Sequence, residues 1–156
     1  MDGYMMSLRK KLGKIPLIQT GSAMIFVNDE GKILMILNKA TRNWGFPGGS
    51  MELGESLEDC ARREAMEEVG LTAGKVELLD IFSGDYMHYF YPNGDEVYNV
   101  AAVYTCRDYS GKITPDGLEC DVAEYLDPFD LPENVTGFVL SIVERYREKY
   151  QQIDLV

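Results

Sequence analysis

The segment from Ser56 to Gly70 constrains this chain most, because it reveals both ends of a helix and the direction of its inner face. Ser56 precedes a periodic run and Asp59 follows three residues later. This is a variant of the capping box, with Asp in place of the usual Glu or Gln. The helix is therefore predicted to begin at Leu57 and run to residue 69, where Gly70 ends it as a residue tolerant of left-handed backbone. Turned at ~100° per residue, Leu57, Cys60 and Ala61 share one face. Glu64 and Glu68 continue that face, Glu67 stands on its shoulder, and Asp59, Arg62 and Met66 take the other side. A solvated acidic face would lie opposite Leu57 and Ala61. Instead two carboxylates project where core residues belong, with a third beside them.

Carboxylates crowded in this way raise one another's pKa, and their burial is unfavourable without a cation. A divalent ion resolves both problems, and all-oxygen donors favour Mg²⁺ or Mn²⁺ over zinc or copper. The net charge of −11 argues against an electrostatic grip on a nucleic-acid polymer. It leaves room for small phosphorylated ligands, because a bound cation inverts the local field. The three cysteines, Cys60, Cys106 and Cys120, form no CxxC pair. That spacing speaks against zinc and for reduced thiols in a cytoplasmic protein. The N-terminal basic cluster Arg9, Lys10, Lys11 and Lys14 is not followed by an apolar h-region, so no signal peptide is expected, and the cluster reads as a short solvated helix or arm. No apolar run reaches the ~18 residues of a membrane span.

The length points to one domain over residues 1–156, and the 46% of hydrophobic residues suffices for a core. Residues 21–38 read as a hairpin turning at "NDEGK", and "WGFPGGS" as a loop. "KVELLDIFSG" reads as a strand. "YMHYFY" and "EVYNVAAVYTCRDY" flank the Asn93-Gly94 turn signal. "VAEYLDP" suggests a short strand, and residues 136–150 a closing helix with Val139, Ile142, Val143 and Tyr146 at helical spacing. Strands with two well-separated helices predict a mixed sheet covered by helices, an α/β or α+β sandwich.

The segment from Gly49 to Leu71 resembles the Nudix box of the Nudix hydrolases (MutT-like), G-x5-E-x7-R-E-U-x-E-E-x-G-U. Gly49, Glu55, Arg63, Glu64, Ala65, Glu67, Glu68, Gly70 and Leu71 match it, the small Ala65 filling the aliphatic position. The preceding "WGFPGG" and the later "YLDPFDLP" also resemble the family. The resemblance implies an α/β/α sandwich with a mixed β-sheet. It further implies Mg²⁺- or Mn²⁺-dependent hydrolysis of the pyrophosphate in a nucleoside diphosphate linked to a moiety X. By the same resemblance Glu64, Glu67 and Glu68 bind metal or activate water, and the Gly48 carbonyl is a further candidate ligand. Glu55 and Arg63 match the pair that braces the helix against its loop. Glu119 sits where many relatives carry another acidic group, with Asp121 and Glu124 as competitors, and a homodimer is expected by analogy. A nucleotide-sensing module without catalysis is the alternative, although such modules usually show eroded box carboxylates.

Lys39 and Arg42, just before the glycine loop, are candidate phosphate contacts. Tyr86, Tyr89, Phe90 and Tyr91 lie in or beside a hairpin strand, and Tyr86 and Tyr89 are candidates for stacking on a base.

Overall fold

In a computed structural model, residues 3–135 and 137–154 are described, with side chains as far as Tyr150. Ten strands and three α-helices alternate along the chain. They are α1 (Tyr4–Leu12), β1 (Leu17–Phe26), β2 (Ile33–Asn38), β3 (Trp44–Gly45), β4 (Gly48–Ser50), α2 (Leu57–Val69), β5 (Thr72–Ala73), β6 (Val76–Phe82), β7 (His88–Phe90), β8 (Glu96–Cys106), β9 (Tyr109–Ser110), β10 (Cys120–Leu126) and α3 (Phe138–Asp154). A single 3-10 turn, Asp85–Met87, precedes β7. The main sheet is mixed, in the order β4-β1-β8-β6, with β7 also pairing to β8. β1 and β8 run parallel from Leu17↔Val97 to Phe26↔Cys106, and the other pairs in that sheet are antiparallel. A second sheet has the order β10-β2-β3.

The strands are covered on both faces. Met24, Phe26, Leu34 and Ile36 pack with Ala61, Ala65 and Val69 of α2. Their neighbours Ile25, Ile33 and Met35 pack with Ile142, Val143 and Tyr146 of α3. The result is an α/β/α sandwich. Burial on both faces is why "AMIFV" and "ILMIL" are unbroken apolar runs rather than alternating ones.

That burial corrects the hairpin expected over residues 21–38. β1 is bonded on one edge to β4 and on the other to β8, so no edge remains for β2. β1 and β2 meet through the isolated bridge Val27↔Ile33, and β2 pairs with β10 and β3 instead. The expected loop "WGFPGGS" is corrected too, because it contributes β3 and β4. Glycine makes the second of these possible: a Cβ on Gly21 would lie 2.2 Å from the Gly49 carbonyl oxygen. The β7–β8 hairpin forms around Asn93-Gly94, where Tyr91 N–H donates to the Asp95 carbonyl (2.8 Å) and Gly94 takes φ 91°. The closing helix runs further than expected, and the expected start at residue 136 falls outside the described residues. Among the described residues no helix is long and apolar enough to cross a membrane.

Candidate active site

α2 begins and ends where its sequence dictates. Ser56 Oγ accepts the Asp59 N–H (3.0 Å), and Gly70 closes the helix with φ 73° and ψ 19°. Ser22 Oγ, on β1, donates to the Leu57 carbonyl (2.6 Å) and ties the helix start to the main sheet. Cys60, Ala61, Ala65, Glu68 and Val69 are buried. A carboxylate thus occupies a core position on the apolar stripe. Glu68 is 3% exposed and accepts the Gly48 N–H (3.1 Å).

Glu64 lies one turn earlier, its side chain 13% exposed. It presses against β4 so closely that a Cβ on Gly49 would sit 2.4 Å from Glu64 Oε1 and would have to push that carboxylate aside. Glu67 is different. Its side chain is 57% exposed, and Oε2 accepts from Arg63 Nη1 (3.3 Å). Arg63 is the hub of the arrangement. Its Nε and Nη2 donate to the two oxygens of Glu55 (2.6 and 3.1 Å), Nη1 reaches Glu64 Oε1 (3.1 Å), and Nη2 also donates to the Ser50 carbonyl (3.0 Å). This forked geometry needs a planar guanidinium. The hydrogen bonds from Arg63 hold the Glu55 carboxyl below its ordinary range. Burial raises Glu64, against the pull of the Arg63 charge. Burial, followed by repulsion from Glu64, pushes Glu68 up to about 10.

Glu119 arrives from the other sheet. Its carboxyl lies close enough to Glu68 to raise that group further. The preceding loop is docked on the end of α2, where Thr114 and Asp116 N–H groups donate to the Val69 and Glu68 carbonyls (2.8 and 3.0 Å). Asp116 Oδ1 then accepts the N–H groups of Leu118, Glu119 and Cys120, which fixes the turn carrying Glu119. The competitors lie elsewhere: Asp121 is exposed and meets Arg42, and Glu124 is exposed on β10.

Glu64, Glu68 and Glu119 open on a cavity of about 720 Å³, a volume typical of small-molecule sites. Aromatic side chains line another part of it: Trp44, Phe46, Tyr89, Tyr91 and Phe138. Tyr89 meets both Tyr91 and Phe138 edge to face, with centroids 4.9 and 6.0 Å apart. Tyr86 lies apart from this cavity. It lies on the 3-10 turn, half exposed, beside Asp80 and Arg145 in a separate shallow depression. Lys39 and Arg42 do not line the cavity either. The turn from Asn38 to Asn43 is closed by the Asn38 side chain and by Arg42 in left-handed backbone (φ 58°), which carries both cations outward. Lys39 Nζ then donates to the Gly117 carbonyl (2.9 Å), bracing the Glu119 loop, and Arg42 approaches Asp121 (3.7 Å).

The donor set fits a hard cation. Glu68 and the largely buried Glu64 are both raised, Glu64 adding to the rise of Glu68, and the Arg63 charge that reaches Glu64 is shared with Glu55, Glu67 and the Ser50 carbonyl. Among the described residues no group of three such side chains is arranged to hold a metal ion. A hydrated divalent ion does not need one, because one or two carboxylates plus substrate phosphates suffice.

Sequence reasoning did not anticipate Glu52, Met5 or Arg9 at the site. Glu52 Oε2 accepts the Tyr4 N–H (3.1 Å), and Met5 and Arg9 of α1 line the cavity. No local signal in the sequence marks that meeting, since Tyr4 and Glu52 are 48 positions apart.

The NUDIX domain model matches residues 18–146. The human protein "Nucleoside diphosphate-linked moiety X motif 6" is 31% identical over 84% of this chain and 43% of its own length. The Methanocaldococcus jannaschii "ADP-ribose pyrophosphatase" is 30% identical over 69% of this chain and 61% of its own length. The chain thus spans about half the length of these two curated relatives. The crystal structure of a MutT NUDIX hydrolase from Burkholderia pseudomallei superimposes with a TM-score of 0.69 at 26% identity, covering 84% of this chain and 98% of that one.

Proposed function

The chain belongs to the Nudix family, and we propose that it is a hydrolase that cleaves the pyrophosphate linkage of a nucleoside diphosphate joined to a moiety X. One observation carries the proposal: Glu64, Glu68 and Glu119 converge on one cavity, Glu68 buried, Glu64 largely so, and both raised. A nucleotide-sensing module has no need of this unfavourable cluster.

Glu64, Glu67 and Glu68, with the Gly48 carbonyl, are the groups proposed to hold Mg²⁺ or Mn²⁺. When bound, the ion neutralises the phosphates and lowers the pKa of a coordinated water. The chain's own residues do the rest. Arg63 fixes Glu64 from one side and Glu55 from the other, so the reacting carboxylates are oriented before substrate arrives. Glu119, on a turn that Asp116 and Lys39 hold, is assigned as the proton acceptor for the attacking water. Tyr89 offers a ring face to the nucleoside. Lys39 and Arg42 lie outside the cavity lining and are left out of the proposed phosphate contacts. Free, buried thiols at Cys60, Cys106 and Cys120 support a cytoplasmic setting. The acidic cavity favours a small nucleotide over a polymer, and a homodimer rests on family analogy.

The test is a panel of dNTPs (oxidised ones included), ADP-ribose, nucleotide sugars, dinucleoside polyphosphates and NADH, each with Mg²⁺. Hydrolysis of at least one member supports the enzyme. Binding without product from any member favours the sensing module.

A further inference from the structure

α1 lies before the span matched by the family model, and it forms part of the cavity wall through Met5, Met6 and Arg9. None of its described residues is fully buried. The helix is held at its ends instead. Gly3, at its N-terminus, has no side chain to cap the first turn. The Glu52 carboxylate takes that role from the loop before α2, accepting the Tyr4 N–H, and a negative charge there complements the helix dipole. Glu52 is itself held, because its N–H donates to Glu55 Oε2 (3.0 Å), the partner of Arg63. At the other end, Arg9 donates to the Glu96 carbonyl and to the Ile15 and Gly13 carbonyls, and lies 3.7 Å from Asp95. Lys14 reaches the same Asp95 (2.8 Å). Asp95 and Glu96 end the turn of the hairpin that carries Tyr89 and Tyr91. The helix therefore joins the carboxylate loop to the aromatic hairpin across the cavity.

We propose that α1 is a strap that completes the nucleoside-binding part of the cavity, with Met5 packing on a planar base opposite Tyr89 and Tyr91 and Glu52 positioning the strap. The inference deepens the proposed function by naming the part of the substrate that α1 recognises. The chemistry selects that part. Thioether and aromatic side chains suit a flat, uncharged, polarizable ring. Glu52, at the start of the strap, lines the cavity and disfavours an additional phosphate there. Arg9 is already held by the Gly13, Ile15 and Glu96 carbonyls and by Asp95, rather than turned toward a phosphate.

The experiment needs neither metal nor turnover. Trp44 is the single tryptophan and lines the cavity, so its fluorescence reports occupancy. Adenosine and guanosine are titrated into the wild-type chain, Met5→Ala, Glu52→Ala and Glu52→Gln, with ribose 5-phosphate as the probe lacking a base. Saturable quenching by at least one nucleoside and none by ribose 5-phosphate is expected. Met5→Ala and Glu52→Ala weaken the nucleoside by about tenfold, the scale of one lost stacking contact. Glu52→Gln, which keeps an acceptor for Tyr4 N–H, restores most of the affinity. Circular dichroism confirms folding, which a surface helix without buried residues should not endanger. Wild-type affinity in both Met5→Ala and Glu52→Ala overturns the strap, as does equal quenching by ribose 5-phosphate or none by any nucleoside. Weakened nucleoside binding in a chain that hydrolyses no member of the panel upholds the strap and removes the enzyme. Hydrolysis with unaltered nucleoside binding does the reverse.

Discussion

The carboxylate part of the cavity and its aromatic part are built on opposite plans. Glu64, Glu67, Glu68, Glu55 and Arg63 lie within 14 consecutive residues and are placed by one capped helix and the loop that leads into it. Trp44, Tyr89, Tyr91, Phe138 and Met5 come from five separate elements or loops and meet only in the folded chain. The first part is held by short charged hydrogen bonds, and the second by ring contacts and by a helix fixed at its ends. Most of the chemistry is thus written within one segment, with Glu119 brought in from the loop before β10, while recognition is assembled from distant elements.

The contrast predicts unequal consequences of mutation. Arg63→Ala strikes the hub of the compact part. It removes the partner of Glu55 and the brace of Glu64, and hydrolysis should fall by about a hundredfold, as for lost outer partners of a metal ligand. Activity close to wild type would show that the glutamates are oriented without it. In the distributed part, Tyr89→Ala should raise KM by about tenfold with little change in kcat, because it removes one ring contact and leaves the carboxylates alone. A fall in kcat with KM unchanged would blur the division between the two parts.

Glu68 sharpens the comparison through pH. Its folded pKa lies above the unfolded value, so its neutral form stabilises the metal-free chain at low pH. That stability is lost as pH rises from the unfolded value of about 4.5 through about 10. Glu68→Gln keeps an acceptor for the Gly48 N–H and removes the charge. Thermal melts of the metal-free chain at pH 8 should therefore show Tm raised by about 3 °C per kcal/mol relieved. Adding Mg²⁺ should narrow the gap. An unchanged or lower Tm would mean that the ionised carboxylate is well accommodated. The smallest effects belong to the outward-facing cations. Arg42→Ala should shift stability by less than about 0.5 kcal/mol and leave KM unaltered, and a raised KM would return Arg42 to the phosphates.

The same division explains what the sequence disclosed. Ser56, Gly70 and the stripe from Leu57 to Glu68 gave the helix, its limits and its buried carboxylate, because capping and periodicity are local. The layered α/β/α arrangement was legible from the order of strands and helices and from the resemblance of the box. Strand pairing was not. β1 and β2 are adjacent in sequence and apolar, but β4 and β8 occupy both edges of β1, and no property of residues 21–38 reveals that. Tyr86 and Tyr89 look equivalent in sequence until a 3-10 turn carries one away and a strand directs the other inward. Lys39 and Arg42 precede the glycine loop in sequence but lie outside the cavity lining, because Asn38 and the left-handed Arg42 turn the chain outward. Nothing local marks Glu52, because its partner, Tyr4 N–H, is remote and belongs to the backbone.

The most direct test of the central claim is Mg²⁺-dependent release of a nucleoside monophosphate from the best substrate of the panel, by wild type and by Glu68→Gln, with both shown to be folded by circular dichroism. A buried carboxylate that holds the reacting centre predicts a loss of about a thousandfold or more in the variant. Unchanged turnover in a folded Glu68→Gln protein would contradict it.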